Sequence, residues 1–222
     1  MLIATVWDDG LVSDFRLMDI LDRYGATASF ALSPGVYQEE ISPNDHRGGY
    51  GMRVAKRDLL RYGKYDVVSH GYCHVRLDTL PYEQMRNELL HSKARLEDTF
   101  ERPITGLAYP GGYYNRLVQE TAEETGYHYA RANTPNPGHF DDQWAVRPVS
   151  WKNWKPAYET RACALIMGHT YELRTKADWT RIETLYRKWT TTPGVQLVSM
   201  TALAQELGWS TKPAAVCLEG GR

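Results

Sequence analysis

Cysteine is scarce in this chain. Cys73, Cys163 and Cys217 are an odd number spread over 222 positions. That excludes the disulfide framework that staples small secreted domains. Neither sign of charge prevails: 26 Lys and Arg stand against 27 Asp and Glu, for a net charge of −1. A nucleic-acid surface would need a basic face, so no nucleic-acid partner is expected. Long apolar runs are missing too, so no membrane span is expected. The opening "MLIATVW" has no basic start, is too short for a leader's apolar region and runs straight into Asp8. A cytoplasmic protein is the expectation. Repeats, linkers and low-complexity segments are also missing. The organisation expected is one domain over residues 1–209, followed by a patternless tail, 210–222.

Alternation is what the chain does have. "LIATVW" is apolar and β-branched enough for a buried strand. "SDFRLMDILDRYG" then puts Phe15, Met18, Leu21 and Tyr24 on one helical face, with Gly25 as the stop. "ATASFAL" and "YDVVS" read as strands and "KRDLLRYG" as a short helix. "LPYEQMRNELLHSKARLEDTFERP" is the longest helix, opened by Pro81 and closed by Pro103. "ITGLAYP", "YHYARA", "AVRPVSW", "CALIMGH" and "VQLVSM" read as further strands, with helices at "YYNRLVQETAEETG", "DWTRIETLYRKWTTTPG" and "TALAQELG". Regular β-α alternation predicts a parallel sheet with helices outside, and an open sheet or a closed barrel satisfies it equally. In either, the chemical residues belong at the C-terminal ends of the strands.

The polar residues fall at those ends. Asp8 and Asp9 close the first strand, His70 and His74 follow the third, Tyr109-Pro110-Gly111-Gly112 follows the fourth, and His169 ends the seventh. His70 and His74, four apart in "SHGYCH", can present two imidazoles together, which suits a divalent metal. Two imidazoles and one carboxylate leave room for water, as catalytic zinc sites do. The same trio also describes a non-haem iron oxygenase. A cation between Asp9 and the histidines would let two adjacent acids stay ionised despite their repulsion. One acid binds metal and the other is free to act as a base. Cys73 is a candidate fourth ligand, although a thiolate would close the site. Seven Trp and fifteen Tyr serve packing or sugar stacking. Trp7, Trp151 and Trp154 are the stacking candidates, with Trp7 inside the first strand and so better placed for the core. Tyr109 and Tyr113 are candidates to shape the pocket, His46 to line a groove, and Glu172 to orient a neighbour.

"TVWDDG", "SHGYCH", "AYPGG" and "LIMGH", in this order, resemble the signature stretches of the polysaccharide deacetylase family, carbohydrate esterase family four. The resemblance covers roughly residues 3–200. It implies an α/β fold, a distorted (β/α) barrel with about seven parallel strands and outer helices. It implies a metal-dependent hydrolase that removes an acyl group from the amide nitrogen of an amino sugar. By the same resemblance Asp8 matches the catalytic base, and Asp9, His70 and His74 the metal triad. Gly111 matches the oxyanion-holding backbone N–H, and His169 the histidine that protonates the departing amine. The cofactor implied is one divalent metal, zinc ahead of cobalt, nickel, manganese or iron. The partner implied is a carbohydrate or amino-sugar substrate.

Two positions depart from that pattern. The family's third motif carries an Arg where this chain has Ala108, and no Asp appears around "VRPVSWKNW" to orient the catalytic His. Arg147, in the sixth predicted strand, is the candidate replacement beside Asp8. The competing readings are another carbon–nitrogen hydrolase, deformylase or allantoinase-like, and a carbohydrate-binding pseudoenzyme.

Overall fold

The computed structural model describes residues 1–40, 51–133, 140–155 and 162–209. Among these residues eight strands form one parallel sheet: β1 (Leu2–Asp8), β2 (Ser29–Leu32), β3 (Asp66–Ser69), β4 (Gly106–Ala108), β5 (Tyr129–Arg131), β6 (Val149–Ser150), β7 (Cys163–Gly168) and β8 (Gln196–Val198). Their order is β5-β4-β3-β2-β1-β7-β6, and β8 joins β1 off that path. β2 pairs with the upper half of β1, from Val6 to Asp8, while β8 takes the lower half, from Leu2 to Ala4.

The sheet curls until its two edges share one stretch of chain. Val146 exchanges backbone hydrogen bonds with Ala130 and Ala132 beside β5. Three residues later β6 pairs with β7, Val149 opposite Ile166 and Ser150 opposite Met167. The barrel-like architecture expected from the sequence is therefore present. The strand read from "AVRPVSW" is shorter than expected. Pro148 has no N–H to give a ladder and splits that segment between the two edges.

Strand alternation sorts the side chains into two layers. Ile3 and Trp7 of β1, with Phe30 and Leu32 of β2, face outward. The helices that cover them are α1 (Asp14–Tyr24), α2 (Tyr82–Phe100), α3 (Arg116–Glu124) and α4 (Lys176–Thr191). Ala4, Val6, Ala31, Val68, Ala108, Tyr129, Leu165 and Met167 face inward, and α5 (Met200–Glu206) closes that inner layer with Met200, Leu203 and Ala204. The alanines make room for Tyr129 and for α5. The helix ends follow local chemistry. α1 stops at Gly25, which is left-handed with φ 58°. α4 opens with a reciprocal capping box between Thr175 and Asp178. The stretch "KRDLLRYG" winds as 3-10 turns over Lys56–Lys64 rather than as an α-helix. No helix among the described residues is long and apolar enough to cross a membrane. The tail 210–222 lies outside the described residues, as does His46.

Candidate active site

Adjacent residues of a strand point to opposite faces, so two neighbouring acids cannot both face the barrel mouth from regular β structure. Asp8 is the last residue of β1 and inherits the inward direction of Ala4 and Val6. Asp9 turns out of the strand with φ 80°, a conformation rarely adopted by side chains other than glycine. That turn brings its carboxylate back to the same mouth. The two acids converge on His169, whose Nε2 lies 3.6 Å from Asp8 Oδ2 and 3.9 Å from Asp9 Oδ2. Backbone strain of this kind costs of order 1–3 kcal/mol and persists where the surroundings hold it. Here Tyr37 donates from its hydroxyl to the Asp9 carbonyl at 3.1 Å.

His70 and His74 come from the turn after β3, which is not helical. Glu88 of α2 fixes this turn by accepting from the N–H groups of Tyr72 and Cys73 at 3.0 and 2.8 Å. Ser33 Oγ donates to the His70 carbonyl. The His70 ring donates from Nδ1 to the Ala108 carbonyl at 2.7 Å, which leaves Nε2 with its lone pair toward the mouth. Burial pushes the His70 imidazole down to about 4, so it is neutral at pH 7, the form a metal ligand needs. His74 Nε2 lies 3.2 Å from Asp9 Oδ1. Burial works to raise the Asp9 carboxyl, but His74 beside it and the charges of His70 and His169 outweigh burial and hold it well below the usual range.

Asp9, His70 and His74 offer one ligand atom each, all within 4.8 Å of one another. Asp9 Oδ1 is buried and has no hydrogen-bond partner. A carboxylate oxygen left unsatisfied between two imidazole nitrogens is what a divalent cation would satisfy, and the donor set fits one. Cys73 is exposed and lies outside this group.

The guanidinium beside Asp8 is that of Arg131, not Arg147. Arg131 donates to Asp8 Oδ2 at 2.6 Å, and both side chains are almost fully buried, at 1 % and 3 % exposure. Arg147 does not line the cavity. The reason is alternation: Val146 faces the barrel interior, so its neighbour faces away. Arg131 was missed in the sequence, yet it stands two residues after the inward-facing Tyr129 and carries the signal that alternation supplies.

His169 follows β7, and Glu172 sits one turn later with Oε1 3.6 Å from His169 Nδ1. Glu172 is itself held by Trp151, whose indole N–H donates to Oε2 at 2.7 Å, and by Lys152 at 3.5 Å. Burial would lower the His169 pKa, but the Glu172 carboxylate and the two aspartates raise it overall. Trp151 and Trp154 are buried, so neither presents a face to a sugar, and Trp7 lies in the core as its strand position implied. Tyr109 lines the cavity, whereas Tyr113 is exposed.

One cavity of about 270 Å³ gathers these groups. Asp8, Asp9, His70, His74, Gly111, Arg131 and His169 line it, together with Arg53, Tyr171 and Asn133. Gly111 holds φ 67° in the turn after β4, a position suited to glycine. The mouth thus combines a ligand trio, a carboxylate paired to an arginine, and an imidazole paired to a second carboxylate. That combination can hold a metal, accept a proton and return one.

Comparison with known proteins identifies the family and the fold. A family model described as polysaccharide deacetylase matches residues 2–130. "Putative polysaccharide deacetylase YxkH" of Bacillus subtilis (strain 168) is 24 % identical over 140 residues, 63 % of this chain and 47 % of that protein. The peptidoglycan-N-acetylglucosamine deacetylase of Bacillus cereus is 26 % identical over 133 residues, 57 % of this chain and 54 % of that one. The chain spans about half the length of these curated relatives. Among solved structures, a "putative polysaccharide deacetylase from Mycobacterium smegmatis" superposes with a TM-score of 0.64 at 16 % identity, covering 93 % of this chain and 90 % of that one. A family 4 acetyl xylan esterase from Clostridium thermocellum, in complex with a cobalt ion, superposes with a TM-score of 0.59 at 14 % identity over 94 % and 92 % of the two chains. A family pseudoenzyme from Bacillus anthracis also gives 0.59, at 15 % identity over 91 % and 64 %. At these identities the superpositions speak for the fold alone. With more than half of its length matched by the family model, the chain belongs to the polysaccharide deacetylase family.

Proposed function

We propose that this chain is a metal-dependent hydrolase that removes an acyl group, acetyl in the first instance, from the amide nitrogen of an amino sugar or related carbohydrate. One observation carries the reading. The ligand trio Asp9, His70 and His74 and the proton-transfer pair Asp8 and His169 share one cavity, with each member of that pair held by its own counter-charge. Asp9, His70 and His74 would hold the metal, zinc being the first expectation and cobalt, nickel, manganese and iron sharing the donor set. When bound, the metal supplies a Lewis acid for the amide carbonyl and brings the pKa of water toward ~7.

The chain's own groups do the rest. Asp8 accepts the proton of the attacking water as general base, and Arg131, which donates to its Oδ2, fixes the carboxylate in place. The backbone N–H of Gly111 would donate to the developing oxyanion, a contact whose loss commonly costs ~3 kcal/mol of barrier. His169 delivers a proton to the departing nitrogen, because an unprotonated amide nitrogen leaves very poorly. Glu172 holds the imidazole in the orientation and charge state that delivery needs. The paired states of Asp8 and His169 weigh against a role confined to carbohydrate binding. Deformylase or allantoinase-like hydrolysis would use the same groups, so a panel of amide substrates separates those reactions from deacetylation.

The test is metal content of the purified protein measured together with amine release from N-acetylglucosamine oligomers, for the wild type and Asp8→Asn. Stoichiometric metal with release that vanishes in the variant supports the proposal. Absence of metal even after reconstitution overturns it.

A further inference from the structure

Arg53 lines the same cavity but has no part in the mechanism above. Its backbone is fastened to the acid-bearing loop. Arg53 bridges Leu11 in antiparallel fashion, Val12 N–H donates to the Met52 carbonyl at 2.9 Å, and Val54 N–H donates to the Gly10 carbonyl at 3.0 Å. On its other side the segment meets the residue two beyond His169, since a Cβ on Gly51 would lie 3.3 Å from Tyr171 Cβ. Arg53 is therefore carried between the Asp8-Asp9 corner and the His169 turn, and its place in the cavity is set by both.

The side chain lacks what its position demands. It is half-buried, its Nε is buried with no hydrogen-bond partner, and no carboxylate among the described residues pairs with it. A guanidinium cannot shed its charge, and taking it from water without a partner is costly. The other charges at the mouth are already matched. Arg131 answers Asp8, Glu172 faces His169, and Asp9 sits in the ligand trio. A divalent cation there would leave the cavity positive overall, and Arg53 would have no counter-charge among the described residues.

We infer that Arg53 is the recognition site for a negatively charged oxygen group, a carboxylate or a phosphate, carried by the acylated amino sugar itself. The planar fork of a guanidinium matches either group with two parallel hydrogen bonds. The location places the anion beside the reacting amide, so an acidic or phosphorylated amino sugar is the substrate class selected over a neutral one. This inference rests on the deacetylase reading for its turnover arm only.

Three probes test it on the metal-loaded enzyme: N-acetylglucosamine, N-acetylglucosamine 6-phosphate and N-acetylmuramic acid. The wild type is expected to show at least a tenfold higher kcat/KM on one anionic probe than on the neutral one, and the probe preferred tells phosphate from carboxylate. In Arg53→Met that ratio falls toward one, chiefly through KM, while Arg53→Lys recovers part of it. Equal kcat/KM on all three probes in the wild type, or an unchanged ratio in Arg53→Met, overturns the inference. A binding arm stands apart from turnover. Calorimetric affinity for N-acetylglucosamine 6-phosphate and N-acetylmuramic acid is compared in Asp8→Asn with and without Arg53→Met. A tenfold or greater weakening for either probe supports the site even if no amine is ever released. Unchanged affinity for both sinks it, and failure of amine release from all probes counts against the deacetylase reading alone.

Discussion

Ala108 and Arg131 are lateral partners across the β4–β5 ladder. The family pattern that the sequence resembles has its arginine at the Ala108 position. Here the guanidinium comes from the adjacent strand at the same level of the barrel and donates to Asp8 at 2.6 Å. The small side chain at 108 and the long one at 131 both belong to the inward layer, so a guanidinium from either strand position faces the mouth where Asp8 stands. No acid stands around residues 147–154, and the carboxylate that faces His169 Nδ1 is that of Glu172, from the turn after β7 rather than the segment before it.

Removing Arg131 should cost both activity and stability. The pair with Asp8 is almost fully buried, and deleting one partner of such a pair leaves an uncompensated charge worth about 3–5 kcal/mol. Urea unfolding of Arg131→Met is expected to show a loss of that size, with amine release reduced at least a hundredfold and metal still bound. Arg147→Ala should stay near wild type in both measurements. The reverse pattern would return Arg147 to the role first expected of it.

How far the sequence alone reaches is visible in the same residues. Asp8 and Asp9 are adjacent, His70 and His74 are four apart, and all of these and His169 end or closely follow a recognisable strand, so local reading brings them to one mouth. Arg131 depends on facing. In β5, Tyr129 and Arg131 point inward and Ala130 outward, a distinction that needs the side facing the interior to be known. Arg147 looked equally suitable until Val146 took the inward position and Pro148 broke the strand. The tryptophans fail for a related reason. Composition counts aromatic rings without telling a core ring from an open one, and Trp151 and Trp154 pack inside. The turn at Asp9 was hidden too, because a positive φ at a non-glycine residue is imposed by its surroundings.

Division of labour between the adjacent acids makes a second prediction. Zinc should raise the melting temperature of the wild type and of Asp8→Asn, because both retain the trio that binds it. His74→Ala should lose that rise, since one of three ligands is gone. Turnover should be lost in both variants. Equal loss of the zinc-dependent rise in both would mean that the two acids share the metal.

Glu172 is expected to act through His169. Glu172→Gln keeps the size of the side chain and its contact with Trp151 but removes the charge facing Nδ1. Because that carboxylate raises the His169 pKa, its loss should move the alkaline limb of kcat against pH to lower pH. kcat should fall about tenfold or more with little change in KM, and Glu172→Asp should recover part of it. A KM effect alone, with the limb unmoved, would show that Glu172 only packs against Trp151.

Asp14 links pH to stability with a sign that can be stated in advance. It is fully buried at the start of α1, where it accepts from Leu11 N–H, from the Tyr62 hydroxyl and from the Thr170 hydroxyl. It thereby ties the acid-bearing loop to the residue after His169. Burial outweighs those hydrogen bonds and pushes the carboxyl from 3.8 up to about 7. Below 3.8 both folded and unfolded chains hold the proton and its stabilising effect is complete. As pH rises toward 7 the unfolded chain releases the proton and the folded one does not, so stability is lost progressively. About three pH units at 1.36 kcal/mol each amount to a loss of about 4 kcal/mol. His70 works in the opposite direction between about 4 and 6.5, because burial lowers its pKa, so the wild-type profile alone would partly cancel. Asp14→Asn isolates the effect. The stability of the variant minus that of the wild type, measured by urea unfolding without metal, should rise by about 4 kcal/mol between pH 4 and pH 7. A flat difference would mean that Asp14 ionises at its ordinary pKa and that its three donors, rather than its burial, set its charge.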